Sequence, residues 1–267
     1  MVSVQELYEL WADDSELRDT LRRSLEPRGT DWLFELFASL EPQAGELLVD
    51  VGCRDAKHAI RLVRDHELHA VALDPLPLHV ELAKRAIADA GLDDEIEVVE
   101  AAIESLPLGD SAADWVWCRD VLVHVDVRRG LKECARVLRP GGRMLAYVTL
   151  ATNLLEPRER AELVEAAAVR DASFDRESVE TAAAEAGLKQ IVVERLAGEW
   201  RERMIEDGTW DVAETLLGLS RLRRRESEFV HEYGETALGA YRGGQLWGIY
   251  QLIGKLCPTA YVWERRA

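Results

Sequence analysis

The stretch from Glu46 to Ala59, ELLVDVGCRDAKHA, constrains the fold of this chain more than any other. Leu47, Leu48 and Val49 form a short apolar run, the mark of a strand buried on both faces. Asp50-Val51-Gly52 closes the run. Asp55 is placed to cap a new helix, and Ala59, Ile60 and Val63 continue at helical spacing. A strand, a tight turn and a helix in this order aim backbone N–H groups and a helix N-terminus at whatever lies above the strand. A ligand with a carboxylate or phosphate suits that place. An ordinary βα turn without a ligand has the same pattern.

The unit then repeats. The apolar runs predict strands near 46–51, 70–74, 95–100, 114–118 and 143–148, with helices near 56–66, 77–90 and 128–138. Pro75 and Pro77 shape the turn after the second strand, Gly91 ends the following helix, and Pro140-Gly141-Gly142 reads as a turn. Alternating strands and helices imply a parallel sheet covered on both faces. AVALD, Ala70 to Asp74, ends in an acid one βαβ step after the first strand, where nucleotide-binding folds hold ribose hydroxyls; a helix-capping acid reads the same way.

The two ends differ from this middle. Residues 3–40 read as helices, with Leu7, Leu10, Leu17, Leu21 and Leu25 near one face, suited to packing on the sheet edge. A later helix is capped by Thr30 or Asp31 and carries Trp32, Leu33, Leu36, Phe37 and Leu40. After the fifth strand, helices are expected at 157–169 and 175–186, a strand at 188–196, helices over 198–256 and a last strand at 257–265.

The order and spacing of certain residues over roughly 45–150 are those of a known family. They are Asp50 to Gly52, Asp74, the SLP segment from Ser105 to Pro107, Asp114, His124-Val125-Asp126, and RVLRPGG from Arg136 to Gly142. Together they resemble the class I S-adenosylmethionine-dependent methyltransferases, in the small-molecule, methyltransferase-11-like branch. The resemblance implies a Rossmann-like α/β fold: a seven-stranded, mostly parallel sheet with flanking helices. It also implies N-terminal helices that form a lid (1–42) and a core (43–197 and 257–267). A helical cap (198–256) is inserted before the antiparallel last strand.

It implies S-adenosyl-L-methionine as cofactor, and roles for particular residues. Asp50 lies near the cofactor's amino-acid end, Gly52 permits its close approach, and Asp74 accepts from the ribose hydroxyls. Pro75 or Leu76 lines the adenine face. The family's usual acid after the third strand is replaced by Ala102, so Ile103 is left to pack on adenine and Glu104 to supply the carboxylate. Cys118, Arg119 and Asp120 border the cofactor. Alternatively, the Arg119 and Asp120 side chains pair with each other. His124 falls near the transferred methyl group, as a base on the acceptor or as a structural histidine at a helix start.

The family's two further loop glycines are Arg54 and Ala56 here; Arg54 either holds the cofactor's carboxylate or faces solvent. Trp11 and Arg28 are ligand candidates from the lid. Trp200, Arg201, Trp210, Tyr241, Trp247, Tyr250 and Gln251 are pocket candidates from the cap, or else its core. The run from Arg221 to Arg225 reads as an anion contact or as a solvated helix face.

The function implied is methyl transfer to a small-molecule acceptor through N, O or C. Two other readings stand beside it: a noncatalytic S-adenosylmethionine-binding protein, and a dinucleotide-dependent oxidoreductase. The second requires glycines where Arg54 and Lys57 stand. The balance of 33 Lys+Arg against 50 Asp+Glu gives a net charge of −17, which disfavours binding to nucleic-acid phosphates. No apolar run reaches the length of a membrane span, and MVSVQELYELWADD lacks a charged-then-apolar leader pattern. The four cysteines are scattered without zinc-site pairing, as expected of a cytoplasmic protein with reduced thiols and no metal. The expected partners are a small-molecule substrate and, as one reading of the cap, a second copy of the chain.

Overall fold

The computed structural model describes residues 2–12 and 15–266. Seven strands form one sheet in the order β3-β2-β1-β4-β5-β7-β6. They are β1 (Leu47–Val51), β2 (His69–Asp74), β3 (Ile96–Glu100), β4 (Ala113–Arg119), β5 (Leu138–Ala151), β6 (Leu188–Arg195) and β7 (Leu256–Arg265). Strands β1 to β5 pair in parallel, and β7 runs antiparallel between β5 and β6. The switch point lies between β1 and β4, where the order reverses; open α/β sheets take their ligands in the crevice outside the strand ends at such a point.

The β3–β4 connection is a loop, and helices make the other connections among the parallel strands. These are α4 (Lys57–His66), α5 (Pro77–Ala90) and α6 (Val127–Val137), preceded by α1 (Val4–Ala12), α2 (Ser15–Leu21) and α3 (Trp32–Ala38). Two apolar cores result. One holds Val49, Val116, Leu131 and Val148 beneath α6; the other holds Phe37, Leu62, Ile87 and Trp117 beneath α3, α4 and α5. Helices α7 (Pro157–Ala166) and α8 (Arg176–Glu185) lead into β6. Four more, α9 (Glu199–Glu206), α10 (Val212–Arg224), α11 (Glu226–Tyr233) and α12 (Glu235–Leu252), fill the interval before β7.

Several motif residues are struts. Asp114 accepts the Leu47 N–H at 2.8 Å and pairs with Arg139, which joins the starts of β1, β4 and β5. Arg136 donates to the Leu106 and Leu108 carbonyls at 3.0 and 2.8 Å, which fixes the SLP segment.

Three expectations are corrected. Pro140-Gly141-Gly142 is an irregularity inside β5: the register with β4 slips between Ala113 and Trp115. Asp55 does not cap α4, whose N-cap is Ala56; Asp55 pairs with Lys57 instead. The apolar faces of α1 and α2 do not pack on the sheet edge. Leu7, Leu10, Leu17 and Leu21 are exposed, as is Leu25 just beyond them; of the three N-terminal helices only α3 contributes core residues, Leu33 and Phe37. Helical periodicity marks an apolar stripe, but a stripe docks only where a neighbouring face exists to receive it.

Candidate active site

The turn after β1 is built from three left-handed residues at alternate positions: Gly52 (φ 73°), Arg54 (φ 53°) and Ala56 (φ 54°). Only glycine adopts that region without a steric penalty. The chain has therefore kept the backbone of a glycine-rich loop while carrying side chains at two of its three positions. At Gly52 substitution is barred twice, since a Cβ would come within 2.3 Å of Val121 Cγ2. The loop is tied to the next strand. Gly52 and Cys53 donate to the Leu73 carbonyl at 2.8 and 2.9 Å, and the Arg54 N–H donates to Asp74 Oδ2 at 3.1 Å. The Arg54 side chain itself is exposed and makes no hydrogen bond or ion pair among the described residues.

Asp50 and Asp74 stand side by side at the ends of β1 and β2. Asp50 is 2% exposed; it accepts from the Ala59 N–H in the first turn of α4, while its Oδ2 has no partner. Burial, with Asp74 adding like charge, pushes its carboxyl up to about 7. Asp74 Oδ1 accepts from the Leu76 N–H and faces His79 Nδ1, both at 3.0 Å, and Oδ2 accepts from Arg54. A carboxylate has about four acceptor positions, so roughly one remains for a ligand while His79 holds its place. Beyond Asp74, Pro75 and Leu76 are exposed at the mouth of the crevice.

On the β3 side, Ile103 is 3% exposed and packs against Gly130 of α6. Glu104 Oε1 accepts the Asp126 N–H at 3.2 Å and supports the start of α6.

At the end of β4, Arg119 donates from Nη1 to His58 Nε2 at 2.8 Å, and Trp117 Nε1 lies 3.3 Å from His58 Nδ1. A neutral imidazole has one lone pair for these two donors, and the shorter contact gives it to Arg119. Burial and then the Arg119 charge push His58 down to about 4, so the ring stays neutral. Phe34 of α3 closes over this group, stacked on Trp117 with centroids 5.2 Å apart. Arg119 and Asp120 pair only loosely, at 3.7 Å.

The Asp120 side chain keeps 48% of its surface accessible, yet protein surrounds it closely enough to push its carboxyl up to about 6. A group both accessible and hemmed in lines the wall of a cleft. His124 follows in a short 3-10 turn. Its Nδ1 lies 3.1 Å from the Ala168 carbonyl, which can only accept, so the proton sits on Nδ1 and Nε2 presents a lone pair.

Helices α9 and α12 meet the end of β5. Trp200 stacks on Tyr147 of β5, with centroids 4.2 Å apart and planes 8° from parallel, and the Arg119 guanidinium lies 5.4 Å from the Trp200 ring. Gln251 donates to Thr149 Oγ1 at 3.1 Å and accepts from Arg201 Nε at 2.6 Å. Trp210 bonds Thr215, Trp247 stacks on Phe174, Tyr250 is buried near Lys255, and Tyr241 is half exposed against Gly218. Arg225, of the basic run, pairs with Glu228, and Arg221 borders an apolar cavity of about 410 Å³ between α10, α11 and α12. Arg28 is held by Glu199 and Glu194, at 2.7 and 3.0 Å, and anchors the segment before α3 to α9 and β6; Trp11 is exposed beside Tyr8.

Sequence reasoning passed over His58, His79, Trp117 and Tyr147. No motif marks them: His58, Trp117 and Tyr147 gain their part from neighbours far along the chain, and His79 gains its part only because α5 turns it back onto Asp74.

Residues 49–146 match the family model described as a methyltransferase domain. Methyltransferase GfsG of Streptomyces halstedii is 33% identical over 138 residues, 51% of this chain and 48% of that protein. The 27-O-demethylrifamycin SV methyltransferase of Amycolatopsis mediterranei is 31% identical over 135 residues, 50% of this chain and 47% of that protein. The chain spans about half the length of the curated relatives it matches. Among solved structures, geranyl diphosphate C-methyltransferase from Streptomyces coelicolor, in complex with Mg2+, geranyl diphosphate and S-adenosyl-L-homocysteine, covers 88% of this chain and 79% of its own. Its TM-score is 0.68 at 15% identity. The cyclase SpnF covers 99% of this chain and 97% of its own, with a TM-score of 0.67 at 17% identity. At these identities the likeness is one of fold.

Proposed function

We propose, for a chain that carries a methyltransferase domain within the class I fold, that the whole protein binds S-adenosylmethionine and transfers its methyl group to a small-molecule acceptor. The observation that carries this reading is the β1 loop. Three left-handed residues, two of them not glycine, are pinned by the Arg54 N–H to an acid at the end of β2. Backbone strain kept at a strand end over a crevice points to a ligand there.

The residues present fit the cofactor. The unpartnered Oδ2 of Asp50 suits an ammonium group, and the remaining acceptor position of Asp74 suits a ribose hydroxyl. Arg54, without a protein partner, suits a carboxylate. When bound, S-adenosylmethionine supplies an electrophilic methyl group. The chain's own part is to orient the acceptor and manage its proton. His124 Nε2 is the base that takes a proton from a hydroxyl or amine. His58 holds Arg119, and the Tyr147–Trp200 stack walls the crevice from the cap side. Helices α9 to α12 then form the cap over the strand ends, and α1 to α3 the lid. The acidic charge balance supports a small molecule rather than nucleic acid as partner, and four buried free thiols support a cytoplasmic location. The exposed apolar faces of α1 and α2 support association with a second copy.

Calorimetry with S-adenosylhomocysteine, with NAD as control, tests the binding half. Turnover of methyl-labelled S-adenosylmethionine with a metabolite extract tests the transfer half. Binding of NAD in place of the methyl donor's product would reject the reading. Tight cofactor binding with no labelled product from any acceptor would favour a noncatalytic binding protein.

A further inference from the structure

Arg28, Arg136, Arg160 and Arg242 each have two carboxylate partners. Arg201, half-buried in α9, has none within 4.0 Å among the described residues. Its Nε donates to the neutral amide of Gln251 at 2.6 Å and its Nη1 points at the Met204 sulfur at 3.7 Å. Three of its five N–H donors therefore have no protein acceptor. Burial lowers its pKa, the direction of a cation short of counter-charge.

This guanidinium is not loose. Gln251 is fixed in turn by Thr149, a fully buried residue of β5, so a chain of hydrogen bonds runs from the sheet to Arg201. On its other side the guanidinium lies over the Trp210 ring at 5.3 Å. Gly248 of α12 admits it, since a Cβ there would lie 3.4 Å from Arg201 Cζ. Arg201 lines a cavity of about 300 Å³ between α9, α10 and α12. A planar donor fork, held in place by neutral groups and open to a cavity, is built for a planar anion. Asp211 and Glu214 border the same cavity, which favours a singly charged carboxylate over a dianionic phosphate.

We infer that the acceptor molecule carries a carboxylate, and that Arg201 binds it from the cap while the reacting atom faces the strand ends. This rests on the methyl-transfer reading and adds the substrate's chemical class to it. Arg201 is then a specificity-determining residue. It acts on the acceptor and leaves the cofactor alone.

The test is calorimetry on protein saturated with S-adenosylhomocysteine, titrated with benzoate and with its neutral counterpart benzamide. Benzoate should bind at least tenfold more tightly. Arg201→Gln should abolish that preference, Arg201→Lys should keep part of it, and both variants should hold S-adenosylhomocysteine as the wild type does. Equal binding of the two probes, no binding of either, or a preference that survives Arg201→Gln would overturn the inference. Loss of S-adenosylhomocysteine binding in Arg201→Gln alone would also overturn it, by moving Arg201 to the cofactor. Should Arg201→Gln unfold, Arg201→Lys keeps the charge and the stem, and its weakened benzoate preference decides the matter. If wild-type protein fails to bind S-adenosylhomocysteine, the methyl-transfer reading falls by itself. The benzoate preference is then read on the ligand-free chain.

Discussion

Asparagine at position 50 should make the ligand-free protein more stable at high pH and cripple its cofactor site. Asp50 has an ordinary value of 3.8 and is pushed up to about 7 in the fold. The native state therefore keeps this proton over a range where the unfolded chain has lost it. Stability falls as pH rises from about 4 to about 7, and the full penalty applies above that. At about 1.36 kcal/mol per pH unit, the ionised carboxylate destabilises the native state by roughly 4 kcal/mol. Asparagine removes this charge but sets an amide where Oδ2 has no partner, at about 1–3 kcal/mol for an unsatisfied buried group.

The net expectation for Asp50→Asn is a gain of about 1–3 kcal/mol at pH 8 and a loss of similar size at pH 4, where the carboxyl is protonated and only the amide's cost remains. For a chain of this size that is roughly 2–12 °C in Tm. Thermal unfolding of both proteins between pH 4 and pH 8, without cofactor, measures it. Saturating S-adenosylhomocysteine should then raise the wild-type Tm more than the variant's, because only the carboxylate pairs with an ammonium. A Tm difference that does not change with pH would refute the reasoning, since it would mean that Asp50 is not an ionised, unpartnered acid in the native state.

Asp74→Ala should weaken S-adenosylhomocysteine binding by about 1.5–3 kcal/mol per lost hydrogen bond, read by calorimetry; unchanged affinity in a folded variant would remove Asp74 from the site. His79→Ala should free a second acceptor position on that carboxylate and tighten the same ligand severalfold, whereas weaker binding would show that His79 supports the site. Arg54→Gly should gain about 0.5–1 kcal/mol in urea unfolding by relieving a left-handed residue. The same change should weaken S-adenosylhomocysteine far more than adenosine, and equal loss for both ligands would reject the carboxylate contact. His124→Gln should lower kcat by about 10²–10⁴-fold with cofactor affinity intact; wild-type turnover would return His124 to a structural part.

The parallel sheet was legible in the residues because its strands are local apolar runs of strand length. The strands observed fall within a few residues of those read from 46–51, 70–74 and 95–100. The acids Asp50 and Asp74 were legible for a related reason. A strand end is a sequence position, and its side of the sheet follows from the hand of the crossover. Helix content at 198–256 was likewise a matter of local pattern.

Other features depend on contacts that local sequence does not encode. Arg119 meets His58, Trp200 meets Tyr147, and Arg201 is held through Gln251 by Thr149, each pair separated by about fifty residues or more. The stripes of α1 and α2 read like that of α3, yet only α3 has buried residues, because helical periodicity records a face and not its partner. The same holds for the charges. The sequence determines how many arginines and acids there are, but only the tertiary structure decides that Arg201 is half-buried on a cavity with no ion-pair partner within 4.0 Å among the described residues, where a carboxylate from outside is the group that fits.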